Sequence, residues 1–163
     1  MSTQASPIIA EDTQLVRLNT SHSSAIIAIE NEVHTHPWKT SMLNNFDGRG
    51  ACNFGLFDKQ NRLLGYFYAQ NIVGEVSLLN IAVAKPCQGR GVGRLLLESL
   101  VEKSEAADAE TLWLEVRQSN VAAIKLYESE GFHEVDRRKD YYPTQQGKED
   151  AIVMCLTLAF SGF

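Results

Sequence analysis

CQGRGVGRLLLE, from Cys87 to Glu98, sets three glycines among arginine and valine and then turns apolar in helical rhythm. Immediately before it, EVSLLNIAVA (Glu75 to Ala84) reads as a strand, apolar enough to predict burial on both faces. A strand that feeds glycines into a helix builds an anion site. The first N–H groups of a helix have no partner inside it, and the helix dipole adds about half a positive charge there. Glycine lets a bulky group approach the backbone and tolerates positive φ. Gly89, Arg90, Gly91, Val92, Gly93 and Arg94 are therefore candidates to hold a phosphate-bearing ligand, with the two arginines adding charge at the rim. Val92, Leu95, Leu96, Ser99 and Leu100 give the helix a mainly apolar side that ends at Lys103.

Several loops share such glycines. A Walker A loop needs GxxxxGK[ST], which is absent. A dinucleotide fingerprint, GxGxxG, would use Gly89 and Gly91 but meets Arg94 in third place, and the strand before it comes late, after a hairpin. A tight turn without a ligand is equally compatible with the glycines alone.

The flanking sequence predicts one α/β domain. Thr13 to Asn19 (TQLVRLN) alternates as a first strand. Ser21 to Val33 predicts a helix with Ala25, Ile26, Ile27 and Ile29 on its apolar side, and Pro37 in HTHPW (His34 to Trp38) breaks it. A short helix over Thr40 to Phe46 leads to a loop at Gly48 and Gly50. Cys52 to Asp58 and Leu63 to Ile72 form a hairpin across a polar turn at Lys59 to Asn61. After the glycine helix come a strand over Thr111 to Val116 and a helix over Val121 to Glu130, capped by Asn120 and stopped by Gly131. Phe132 to Asp140 and Asp150 to Leu158 are two final strands joined by a long loop, YYPTQQGKE (Tyr141 to Glu149). Strands and helices in this order predict a mixed sheet with helices packed on it.

Composition narrows the function. The 163 residues carry 15 basic and 20 acidic side chains, a net charge of −5, which argues against a broad nucleic-acid surface. The N-terminus has neither a basic start nor an apolar run of signal-peptide length, and no run is long enough to span a membrane. Cys52, Cys87 and Cys155 are odd in number and far apart, so neither a zinc site nor a disulfide framework is expected, and a reducing cytoplasm suits them. His22, His34, His36 and His133 are scattered, without metal-ligand spacing.

Two side chains are candidates for acid–base chemistry. In TLWLEV, Leu112, Leu114 and Val116 share one face, which leaves Glu115 on the other with Trp113. A carboxylate on an apolar strand is costly unless it faces water or a partner. Glu115 is thus either an exposed strand residue or ion-pair partner, or a general base. Tyr127 lies seven residues after Asn120 on the following helix, as a core tyrosine or a proton donor. Tyr141 to Pro143 reads either as hairpin packing or as a wall for an acceptor. Arg137 to Lys139 (RRK) reads as a solvated strand edge in preference to an RNA contact.

The spacing Q-x-x-G-x-G, here Gln88, Gly91 and Gly93, resembles the pyrophosphate loop of the GNAT superfamily of acetyl-CoA-dependent N-acetyltransferases. LNIAV (Leu79 to Val83) resembles the family strand beside the acetyl-pantetheine arm. SNVAAIKLYESEGF (Ser119 to Phe132) resembles its second signature, an asparagine at a helix start followed by A-x-x-L-Y-x-x-x-G-F. Within the superfamily, TLWLEVR-x-SN-x-AAI-x-LYES-x-GF, YYPT, EDAI-x-M and the HPW at His36 to Trp38 resemble the RimI family. Those bacterial enzymes acetylate the N-terminal alanine of the eighteenth small-subunit ribosomal protein. The similarity spans residues 13 to 158.

The resemblance implies a single GNAT domain over residues 13–160, with a mostly antiparallel mixed sheet flanked by helices, after a variable extension over 1–12. It implies acetyl-CoA as co-substrate and no metal, held by Ile81, Ala82, Val83, Gly89, Arg90, Gly91, Val92, Gly93, Arg94 and Asn120. Glu115 becomes the base, Tyr127 the acid that protonates the coenzyme A sulfur, and the N–H of Val83 or a neighbour at the end of its strand the oxyanion donor. A protein N-terminus is the implied acceptor, with no direct nucleic-acid or membrane partner and with a monomer plausible. A lysine or small-molecule acetyltransferase, or a non-catalytic acyl-CoA-binding module, would share the scaffold. Retention of both Glu115 and Tyr127 speaks against the module.

Overall fold

In the computed structural model, which describes residues 6–158, the first strand is shorter than its alternation predicts because Asn19 becomes a cap. The strand β1 (Thr13–Arg17) ends two residues earlier. The Asn19 side chain accepts from the Ser21 N–H at 2.9 Å, and its own N–H donates to His22 Nδ1 at 3.0 Å. This reciprocal cap opens a 3-10 turn that runs into the helix α1 (Ser23–Val33). The short helix α2 (Thr40–Leu43), the strand β2 (Ala51–Asp58) and the strand β3 (Leu63–Ile72) follow. Asp58 makes the hairpin turn, its Oδ1 accepting from the N–H groups of Gln60 at 3.0 Å and Arg62 at 2.8 Å.

Beyond the hairpin come β4 (Glu75–Val83), α3 (Val92–Ala106), β5 (Thr111–Arg117), α4 (Val121–Ser129), β6 (His133–Thr144) and β7 (Gly147–Thr157). The seven strands lie in the order β1-β2-β3-β4-β5-β7-β6. The β4–β5 pair is parallel, and the β1–β2, β2–β3, β5–β7 and β7–β6 pairs are antiparallel. By packing, the chain falls into two compact units, Met1–Gln70 with Asn80–Leu100, and Asn71–Leu79 with Val101–Phe163.

The first unit is organised around a buried carboxylate. Glu30 of α1 has no exposed surface. Its oxygens accept from the Tyr66 hydroxyl at 2.5 Å, the Asn80 amide at 2.9 Å and the Trp38 N–H at 2.9 Å. His34 stands 3.7 Å from the same carboxylate and shares a hydrogen bond with Asn80 at 3.0 Å. A buried carboxylate is tolerable only when donors replace its water, and these donors come from β3, β4 and the turn before α2. Around them pack Leu18, Ile26, Leu43, Phe46, Tyr68 and Ala82. Gly65 of β3 has no room for a side chain: a Cβ would lie 2.7 Å from the Ala82 carbonyl and 3.0 Å from Leu96.

In the second unit β4 and β5 pair over Glu75–Leu78 and Thr111–Leu114, and β5 pairs with β7 along its whole length. Two sequence expectations are corrected. First, β4 is not buried on both faces: Val76, Leu78, Asn80 and Ala82 are buried, whereas Glu75 and Leu79 are exposed. Its apolar density conceals a strand of period two with one open face. Second, YYPTQQGKE is not a long loop. The last hairpin extends through it, pairing Tyr142 with Glu149, Pro143 with Lys148 and Thr144 with Gly147. Pro143 is compatible with a strand here because β6 is the sheet edge.

Glu30→Ala is expected to destabilise the protein by about 3 kcal/mol or more in urea unfolding, since two buried donors and the part-buried Trp38 N–H lose their acceptor. Glu30→Gln replaces an acceptor oxygen with a donor facing donors, so it is expected to recover only part of that loss.

Candidate active site

The glycine loop lies in the first unit. Ile81, Ala82 and Val83 end β4, and the Ala84 N–H bonds the Leu64 carbonyl at 2.8 Å. After a 3-10 turn over Lys85–Cys87, Gln88 folds back and its side-chain amide donates to the Val83 carbonyl at 3.1 Å. Gln88 thereby ties the loop to the strand end, a role its place in the motif does not disclose. Gly89 and Gly91 have φ of +74° and +89°. A Cβ at Gly89 would meet nothing within 4 Å, and one at Gly91 only the Ile8 carbonyl at 4.0 Å. The need for glycine is therefore conformational, and the bare backbone is open for a ligand to approach. Val92, Gly93 and Arg94 form the first turn of α3, where N–H groups lack helical partners.

Arg90 does not stand at an open rim. Its Nε donates to the Ser6 carbonyl and its carbonyl accepts from the Ile8 N–H, both at 2.8 Å. Ser6 and Ile8 are thereby stitched to the glycine loop, which composition could not indicate.

The second unit holds Glu115, Asn120 and Tyr127. Along β5, Leu112, Leu114 and Val116 are buried while Trp113, Glu115 and Arg117 are half-buried on the other face, as the alternation predicts. Arg138 Nε stands 2.9 Å from Glu115 Oε1. The basic run is thus more than a solvated edge, although Arg137 does pair locally with Glu134 at 2.6 Å. Asn120 caps α4, its Oδ1 accepting from the Ala123 N–H at 3.3 Å.

Tyr127 is 5% exposed. The end of its helix fixes it. The Phe132 N–H donates to the Tyr127 carbonyl and the Gly131 N–H to the Glu128 carbonyl, both at 3.0 Å. With Gly131 at φ +100°, this is a Schellman motif, and the Tyr127 and Phe132 rings make its accompanying apolar contact with centroids 5.8 Å apart. Burial pushes the Tyr127 hydroxyl up to about 12, with the Tyr142 hydroxyl adding to the effect. Tyr142 is also raised, first by burial and then by the charge of Glu115. One tyrosine of the YYP segment is thus electrostatically close to both Glu115 and Tyr127. Among the described residues no cluster of His, Cys, Asp and Glu could hold a metal ion, and no helix is long and apolar enough to cross a membrane.

A family model described as Acetyltransferase (GNAT) family matches residues 23–132. The [ribosomal protein bS18]-alanine N-acetyltransferase of Salmonella typhimurium is 43% identical over 142 residues, covering 87% of this chain and 95% of the relative. The crystal structure of the ribosomal-protein-S18-alanine N-acetyltransferase from Escherichia coli superposes with a TM-score of 0.86 at 40% identity, over 92% of this chain and 96% of that one. Arabidopsis thaliana NAA60 in complex with acetyl-CoA shares the fold, with a TM-score of 0.78 at 16% identity over 89% of this chain and 98% of that one.

Gly131→Ala is expected to cost about 1–2 kcal/mol in thermal or urea unfolding, because an L-residue resists that backbone conformation. The added methyl would also lie 3.1 Å from Leu156 Cδ1. Near-ultraviolet circular dichroism should register the disturbed Tyr127–Phe132 contact.

Proposed function

This chain belongs to the GNAT family of acetyltransferases, and from that membership we propose that it transfers the acetyl group of acetyl-CoA to the N-terminal α-amine of a protein, with the N-terminal alanine of ribosomal protein bS18 as acceptor. The observation that carries this reading is the pairing, within one unit, of a carboxylate on the open face of β5 with a buried tyrosine that keeps its proton at neutral pH. The identity to bS18-alanine N-acetyltransferases over nearly their whole length supports the choice of acceptor.

The residues divide the work as amide formation requires. Acetyl-CoA supplies the activated thioester. The open backbone of Gly89 to Gly91 and the first turn of α3 at Val92, Gly93 and Arg94 suit its pyrophosphate. The family resemblance assigns Ile81, Ala82 and Val83, and separately Asn120, to its arm, and assigns the oxyanion to a backbone N–H at the end of β4, that of Val83 or a neighbour. Glu115 takes the proton from the amine as the C–N bond forms, directly or through one water. Tyr127 gives its hydroxyl proton to the sulfur as the C–S bond breaks, and solvent restores it. Holding both reactants in line supplies several kcal/mol of the barrier by itself. No metal enters this scheme, and the cytoplasm is the compartment in which it would run.

The acceptor class follows from amine basicity. An α-amine has a pKa near ~8 and a lysine amine near ~10.4, so at neutral pH roughly a tenth of α-amines are already neutral against well under a thousandth of lysines. One strand glutamate therefore serves an α-amine more readily than a lysine.

A peptide carrying the bS18 N-terminus is expected to be acetylated with a far higher kcat/KM than the same peptide with its N-terminus blocked and an internal lysine. Equal values would reassign the enzyme to lysines, and no reaction alongside tight acetyl-CoA binding would point to a small-molecule acceptor or a binding module. Glu115→Gln is expected to lower kcat by ~100- to 10,000-fold with acetyl-CoA affinity kept. Gly91→Val is expected to weaken acetyl-CoA binding in calorimetric titration at least about tenfold, by forcing the loop out of its positive-φ conformation.

A further inference from the structure

The partner of Glu115 comes from two strands away. Glu115 of β5 lies opposite Val153 of β7, and Val153 lies opposite Asp136 of β6. Two positions along, Arg117 lies opposite Ala151, and Ala151 opposite Arg138. Residues opposite one another share a face, so Arg138 stands on the same face as Glu115. It crosses β7 diagonally to bring Nε within 2.9 Å of Oε1. Two strand spacings are nearly 10 Å, a gap that the long arginine and glutamate side chains close together.

A nearer cation is passed over. Arg117 is only two residues from Glu115 and on its face, yet it is committed elsewhere. Its Nη1 donates to the Pro143 carbonyl at 2.9 Å and lies 3.6 Å from Glu149, and its guanidinium sits 4.5 Å over the Tyr142 ring. Arg138 is backed in turn by Tyr141, whose ring centroid is 5.4 Å from its guanidinium. A break in the β6–β7 register between Arg138 and Tyr142, with Asp140 at φ +50°, lets the two tyrosines address different arginines. The four side chains of Arg117, Arg138, Tyr141 and Tyr142 thus form a frame beside the carboxylate.

An ion pair as exposed as this one contributes little to stability, and its side chains are 30% exposed for Glu115 and 56% for Arg138. Its worth lies in geometry. We propose that Arg138 is a positioning residue for Glu115: by holding Oε1 it fixes the rotamer of the carboxylate and presents Oε2 to the acceptor amine. The proposal rests on the assignment of Glu115 as general base.

The test is a double-mutant cycle in the full-length protein with acetyl-CoA and the bS18 N-terminal peptide. Arg138→Met is expected to lower kcat about ten- to a hundredfold, the scale of a misplaced catalytic group, with calorimetric acetyl-CoA affinity and melting temperature unchanged. Arg138→Lys is expected to recover part of the rate, since an ammonium keeps the charge but not the fork. In a Glu115→Gln background, Arg138→Met should cost nothing further, because a residue that acts only through Glu115 has nothing left to act on. If the two losses multiply, Arg138 works elsewhere and the proposal is overturned while the base assignment stands. Wild-type kcat in Arg138→Met overturns it likewise. If Glu115→Gln alone keeps full turnover, the base assignment falls and the proposal with it. Should Arg138→Met fail to fold, Arg138→Gln takes its place in the same cycle.

Discussion

The pleat of β5 is the constraint on which the second unit depends. Side chains alternate along a strand, so a seven-residue stretch that buries Leu112, Leu114 and Val116 must present Trp113, Glu115 and Arg117 to the other side. The core side is nearly continuous in its demand: Leu112 is fully buried, and Val116 is 6% exposed. A register slip of one residue would exchange the two sets and drive a carboxylate and a guanidinium into the apolar layer. Burial energy and the direction of Glu115 are thus one fact. Every later feature of the face, including the arginines beside the carboxylate, takes its parity from this strand and the β7 residues paired with it.

Tyr127 is placed by a different device. A helix end is the least determined part of a helix, yet here it is the most determined. The Schellman hydrogen bonds from Gly131 and Phe132 satisfy carbonyls that the helix leaves open, and the same turn lays Phe132 against Tyr127. With Asn120 closing the N-terminal end, α4 needs only nine residues between its two caps. So short a helix has little stability of its own. Its caps and its packed tyrosine do the work that length does elsewhere, and the tyrosine that keeps its proton through burial is also the one that anchors the turn.

What could be read from the chain beforehand follows from the range of each interaction. The β5 alternation, the Asn120 cap and the Gly131 stop are local patterns within a few residues, and each is where the residues indicate. The positive φ at Gly89 and Gly91 follows from the glycines themselves. Glu30 escapes the same reading because α1 looks simply isoleucine-rich, and nothing local reveals donors 36 and 50 residues downstream in Tyr66 and Asn80. The last hairpin escapes it for the opposite reason. Pro143 and Gly147 are loop residues by chemistry, but an edge strand tolerates proline and a register break, so pairing continues through them. Arg138 keeps the parity of Glu115 through the regular rungs Asp136–Val153 and Arg138–Ala151, but no local pattern discloses that β6 and β5 flank the same strand, so their contact is not legible in the chain beforehand.

Two glutamates, the buried Glu30 and the half-buried Glu115, illustrate how much a carboxylate's setting decides its use. Glu30 accepts three hydrogen bonds in a site without exposure. All of its capacity serves to hold α1, β3, β4 and the turn before α2 in one arrangement. A group so fully engaged has no oxygen to offer a substrate. Glu115 has one charged partner, on one oxygen, and a side chain left part-exposed. Desolvation is incomplete there, so the ion pair neither strains nor strongly stabilises the fold. The carboxylate keeps an approachable oxygen while its rotamer is held. A general base needs that combination of a fixed direction and an open acceptor, and of the two glutamates only Glu115 has it.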